Sequence, residues 1–69
     1  MNPFRIQWKN THQARKPWVD FTPELKIVAP TEAAAINLAE NRLRQKEDFL
    51  NRPYPLRAVE IGWEEYGNA

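Results

Sequence analysis

The segment from Ala29 to Leu43 is the clearest helix in this sequence, and alternating apolar and polar residues lie on both sides of it. Thr31 is a favourable N-cap residue, and Glu32 follows it where the helix dipole favours a negative charge. Three consecutive alanines with high helix propensity come next. The apolar stripe of this helix consists of Ala35, Ile36, Ala39 and Leu43, with Leu50 one heptad farther on.

Three segments around the helix alternate in the period of two that is typical of half-buried strands. They are residues 4–9, 25–29 and 58–63. The predicted fold is therefore a small α+β domain with the chain order β-β-α-β. We predict a three-stranded antiparallel sheet in the order 2-1-3, with the helix packed on one face. A parallel third strand, reached by a right-handed crossover, is the alternative topology.

The antiparallel order is preferred because it places the apolar first strand in the centre of the sheet. The polar face of that strand then points away from the helix, and Val28 indicates that part of this outer face is covered. Residues 1–69 form one domain in this interpretation, and residues 64–69 a flexible tail. The sheet residues expected under the helix are Phe4, Ile6, Trp8, Leu25, Ile27, Val59, Ile61 and Trp63.

Composition argues against an enzyme and against a metal centre. The 69 residues contain no cysteine, no serine and one histidine, His12, so no nucleophile–base pair or zinc ligand set can be assembled. The two glycines are too few for a phosphate-binding loop. We therefore predict no catalytic residues, no cofactor and no bound metal. A single core of this size supplies only about 3–5 kcal/mol of stability.

Charge and hydropathy restrict the expected cellular location and the expected class of partner. The net charge is +1, so positive and negative residues nearly cancel, and bulk electrostatics does not indicate a protein that binds nucleic acid or membranes. No apolar run has membrane-spanning length, and the first residues lack the apolar core of a signal peptide. A cytoplasmic protein without membrane contact is expected, weakly supported by the lack of cysteine.

The candidate binding residues lie in and beside the segment 10–21. This segment is either a long loop or an extension of a strand, and it contains Arg15, Lys16 and Trp18. Tryptophan and arginine are enriched at binding hot spots. Arg5 and Lys9 lie on the sheet face that the helix leaves open. The competing interpretation is a strand extension in which Trp18 or Phe21 completes the core and Arg15 and Lys16 are simply solvated.

The segment 25–40, L-K-I-V-A-P-T-E-A-A-A-I-N-L-A-E, resembles the strand–turn–helix passage of small phage-encoded inhibitors of host proteins, specifically the T7-type inhibitor of bacterial RNA polymerase. The resemblance implies a three-stranded antiparallel sheet with one helix and a host-protein partner. The segment 10–21 is longer and more aromatic than in that family, and the pair Glu64–Glu65 also differs. No functional residue of the family is carried over.

Sequence therefore predicts a non-enzymatic binding protein that inhibits a host macromolecule, with bacterial RNA polymerase as the suggested partner and the host cytoplasm as its location. The alternatives are a small nucleic-acid-binding module that uses the same residues on phosphates, and an accessory domain that forms a homodimer through a sheet edge. The oligomeric state is expected to be a monomer or a weak homodimer. The predicted partner-binding residues are Arg5, Lys9, Arg15, Lys16 and Trp18.

Overall fold

A computed structural model describes residues 1–45 and 54–68. The strands are β1 (Asn2–Lys9), β2 (Trp18–Ala29) and β3 (Leu56–Glu60), and the helices are α1 (Glu32–Leu43) and α2 (Trp63–Gly67). The three strands form one sheet in the order β2-β1-β3, and both pairings are antiparallel. The predicted α+β fold and sheet order are confirmed. The expected extension of the helical stripe to Leu50 lies outside the described residues.

Helix α1 begins where the sequence predicts. The Thr31 side chain accepts a hydrogen bond from the backbone N–H of Ala34 at 3.1 Å, which satisfies one free donor of the first turn. The buried stripe consists of Ala35, Ala39 and Leu43. Because two of these three side chains are small, the helix axis can lie close to the sheet.

The core lies between α1 and one face of the sheet. Ile6 on β1 and Ile27 on β2 are the largest fully buried side chains among the described residues. Around them lie Phe4, Ala29, Ala35, Ala39 and Ala58, with Leu25 and Leu56 packed at the margin. The alternation along β1 therefore sends Phe4 and Ile6 into the core, as predicted.

The face of β3 that packs on α1 differs from the prediction. Ile6 pairs with Ala58, so Ala58 and Leu56 face the helix, whereas Val59 pairs with Arg5 on the opposite side. The strand carries apolar side chains on both faces, and the small Ala58 fits against the alanines of α1. The expectation that Val59 and Ile61 lie under the helix is therefore wrong.

The chain after β3 also differs from the prediction. Trp63, expected in the third strand and in the core, begins the short helix α2 and is 56% exposed. Residues 64–67 of the expected tail belong to this helix as well. β3 ends at Glu60, and Gly62 is the N-cap residue of the helix. No helix in the described ranges is long and apolar enough to cross a membrane.

Replacing Ile6 with valine is expected to lower the free energy of unfolding by about 1 kcal/mol, because one methylene leaves a fully buried site. The control is Leu38→Ala, which removes more atoms from a side chain that is 44% exposed and should cost less than about 0.5 kcal/mol. Urea denaturation followed by circular dichroism measures both values. A larger loss for Leu38→Ala would contradict the described core.

Candidate functional site

The candidate site lies on the sheet face opposite α1, which we call the open face. β1 contributes Arg5, Gln7 and Lys9 to it, as the alternation predicts. Residues 21–24 of β2 have no partner in β1, because Ile6 pairs with Leu25 and Gln7 with Asp20. This insertion has an even number of residues, so β2 keeps its alternation across it. The open-face residues that pair with the three β1 side chains are Trp18, Asp20 and Lys26 on β2, and Arg57 and Val59 on β3.

A buried glutamine connects the three strands on this face. Gln7 is 8% exposed. Its Nε2 donates a hydrogen bond to Asp20 Oδ1 at 2.8 Å, and its Oε1 accepts one from Arg57 Nε at 2.7 Å. Both polar ends of this side chain therefore have partners, as a buried amide requires. The amide fixes the positions of one acidic and one basic side chain.

Arg57 in turn holds Trp18. Its guanidinium carbon lies 4.7 Å from the centroid of the Trp18 ring, which is the geometry of a cation–π contact. Trp18 is half-buried and lies opposite Lys9, at the end of β1 where the hairpin turns. We call the end of the sheet where β1 turns into β2 the hairpin end. It carries the Trp18 ring next to two cations, Lys9 and Arg57.

Arg5 is held by carboxylates of the same chain. Its Nη1 donates to Glu65 Oε1 at 3.3 Å, and its Nε lies 3.1 Å from Asp20 Oδ1 without the alignment of a hydrogen bond. The side chain is 24% exposed. Its charge is therefore balanced within the molecule, and Arg5 is poorly placed to serve a partner while these contacts persist.

Lys26 is also engaged within the chain. Its Nζ donates to the backbone carbonyls of Glu65 at 2.8 Å and Asn68 at 2.6 Å, at the C-terminal end of α2. A cation at that position is favoured by the unpaired carbonyls and by the helix dipole. Glu24 Oε2 lies 3.6 Å from the same nitrogen.

The remaining cations at the hairpin end are exposed. Lys9, Arg15 and Lys16 form no ion pair with any residue of the ranges 1–45 and 54–68. The loop that carries two of them is ordered around Asn10, whose side chain accepts from the N–H of His12 at 3.0 Å. The N–H of Asn10 also donates to the carbonyl of Pro17, which closes the loop.

The structure answers whether the segment 10–21 is loop or strand. Residues 10–17 connect the strands, and Trp18 begins β2. Of the predicted binding residues, Lys9, Arg15, Lys16 and Trp18 lie together at the hairpin end. Arg5 lies nearer the start of β1, at the end that α2 contacts. The sequence analysis did not identify Arg57 and Gln7 as site residues. For Gln7, the available signal was a polar residue in the middle of the central strand.

The acidic residues lie at the other end of the sheet. Glu60 pairs with Phe4 near the start of β1, and Glu65 contacts Arg5. Glu60 therefore lies on the side of α1, and on the open face the exposed cations of the hairpin end lie apart from Glu65, whose charge is paired with Arg5. Within the described ranges no three metal-ligating side chains converge. What the hairpin end offers chemically is charge-assisted hydrogen bonding to anionic groups beside an aromatic surface.

Comparison with protein-family models, curated proteins and solved structures found no significant match.

Replacing Gln7 with leucine is expected to lower the free energy of unfolding by about 1–2 kcal/mol. The variant keeps a similar volume but removes the partner of Asp20 and of Arg57. Gln13→Leu, in the exposed loop, should change it by less than about 0.5 kcal/mol. Urea denaturation compares the two, and equal stability of both variants would show that the Gln7 contacts contribute nothing.

Proposed function

We propose that this protein is a non-enzymatic binding protein that docks on a host protein through the hairpin end of its sheet. The observation that supports the proposal is that some cations of the open face are paired within the chain and others are exposed. Arg5 and Lys26 are neutralised within the chain, whereas Lys9, Arg15 and Lys16 are exposed beside a positioned tryptophan.

The contact chemistry favours an acidic surface on the partner. Arg15 can donate two parallel hydrogen bonds to a carboxylate, and the two lysines add charge that steers association. Trp18 offers apolar area at low entropic cost, because Arg57 already limits its motion. Together these features form a small anchor with a charged rim, which is the usual arrangement of a binding hot spot.

Bacterial RNA polymerase is the partner that we propose first. The support is the resemblance of residues 25–40 to the phage-encoded inhibitor family, together with the β-β-α-β order that the resemblance implies. In this proposal the protein acts in the host cytoplasm and inhibits the enzyme by occupying part of its surface. Likeness of fold is an analogy and needs a direct test.

The test compares two double variants that lose the same charge. Arg15→Gln with Lys16→Gln removes cations from the hairpin end, and Arg42→Gln with Arg44→Gln removes two exposed cations from the C-terminal end of α1. We expect the first pair to weaken binding to purified bacterial RNA polymerase about tenfold, or about 1.4 kcal/mol, and the second less than about twofold. Surface plasmon resonance and a transcription assay provide the measurements.

Two results would contradict this proposal. Equal losses for the two double variants would show that only net charge matters. Failure of the wild-type protein to bind the polymerase would remove that partner.

A single-strand nucleic-acid-binding module is the second candidate, and one observation favours it. The acidic residues Glu60 and Glu65 lie at the far end of β1, so they do not oppose phosphates at the hairpin end. An exposed basic loop beside Trp18 is suited to a phosphate backbone with a stacked base.

Salt dependence distinguishes this candidate. If Lys9, Arg15, Lys16 and Arg57 bind phosphates, the slope of log affinity against log salt for a single-stranded oligonucleotide should be about −2 to −3. The Arg15 and Lys16 double variant should then reduce the slope by about 1.4, whereas the Arg42 and Arg44 control should not. Fluorescence anisotropy measures the slope, and the absence of a complex at low salt would eliminate this function.

A further inference from the structure

The open face contains a charge arrangement that the hairpin site does not use. Arg5 and Lys26 are directly opposed partners in the β1–β2 ladder, and both side chains point away from α1. Like charges that face each other across strands destabilise a sheet. The pair therefore requires negative groups nearby, and the chain supplies them.

Helix α2 supplies the largest part of that compensation. Glu65 contributes its carboxylate to Arg5 and its backbone carbonyl to Lys26, and Asn68 contributes a second carbonyl to Lys26. A single turn of helix thus satisfies two cations on neighbouring strands. Pro3 is buried on the same face, away from α1, at the end of β1 that α2 contacts.

The contacts that join α2 to Arg5 and Lys26 are nevertheless polar, and the Glu65 side chain is 47% exposed. The helix contains no buried residue, Trp63 is 56% exposed and Tyr66 is 37% exposed. A groove lined in part by Glu24, Lys26 and Tyr66 separates it from the unpaired stretch of β2. Exposed ion pairs contribute little to stability and weaken with salt. No residue of α2 belongs to the core cluster between α1 and the sheet, so detachment of α2 at Gly62 would remove none of the side chains in that cluster.

We infer that α2 is a displaceable cover over a second anion-binding site, formed by Arg5 and Lys26, and that an acidic segment of a partner protein takes its place. The occupant is identified by the groups that α2 itself offers: a carboxylate for Arg5, and carboxylate or carbonyl oxygens for Lys26. Asp20 Oδ1 lies 3.1 Å from Arg5 Nε, so Arg5 keeps one acidic neighbour when α2 is displaced. This site is separate from the hairpin end and does not depend on the proposed function.

Two neighbouring glutamates provide a matched pair of variants. Glu65→Gln removes the carboxylate that holds Arg5, whereas Glu64→Gln makes the same change of charge one residue earlier in α2. Glu64 forms no ion pair with residues in the ranges that the structure describes. A difference between the two variants therefore isolates the Arg5 contact from the change in net charge.

The experiment measures the affinity of the full chain for fluorescein-labelled hexaglutamate by anisotropy at low salt. All variants also carry Lys9→Gln, Arg15→Gln and Lys16→Gln, which remove three exposed cations of the hairpin end that form no ion pair with the described residues. We expect Glu65→Gln to bind the probe about two- to fivefold more tightly than Glu64→Gln. Adding Arg5→Gln to Glu65→Gln should abolish the gain, and circular dichroism verifies that each variant is folded.

A second measurement locates the probe. In ¹⁵N-resolved spectra of the Glu65→Gln chain, saturation with hexaglutamate should shift the amides of Arg5 and Lys26 and move those of residues 63–67 to unfolded positions. Equal affinities of the two glutamate variants, no binding by either, or an intact α2 in the saturated complex would each overturn the proposal. Self-association of the Glu65→Gln chain without probe would also overturn it, since a second copy would then be the occupant.

Discussion

The architecture depends on the alternation of side chains along β1, the strand that is hydrogen-bonded along both of its edges. One face of this strand sends Phe4 and Ile6 into the core with α1, and the other sends Arg5 and Gln7 to the open face. A shift of the register by one residue would exchange the two sets. The alternation along β1 therefore determines both where the core lies and where the polar contacts of the open face lie.

The open face uses its charges in two different ways. Near the start of β1, the opposed pair Arg5 and Lys26 is neutralised by Asp20 and by α2. At the hairpin end, Gln7 and Arg57 position Trp18, and the cations around it remain exposed. A small domain without disulfides needs its internal polar contacts satisfied, so the cations that are not needed for stability are the ones available for a partner.

Much of the fold could be predicted because local signals agree with one another. The N-cap at Thr31 and the alternation of Phe4 and Ile6 act through neighbouring residues, and both are confirmed. The face of β3 could not be predicted, because Ala58 and Val59 are both apolar and only the pairing with β1 separates them. Helix α2 was missed because its contacts join residues that are far apart in the chain. The same long-range contacts determine which predicted binding residues are free.

Lys26 and Arg5 are held within the chain, whereas Lys9, Arg15 and Lys16 at the hairpin end form no ion pair with the described residues. Proton exchange at the side-chain nitrogens, measured by ¹⁵N nuclear magnetic resonance, distinguishes the held cations from the exposed ones. This difference predicts slow exchange of the Lys26 ammonium protons, which are hydrogen-bonded to two carbonyls, and fast exchange for Lys9 and Lys16. Exchange at Lys26 as fast as at Lys16 would contradict it.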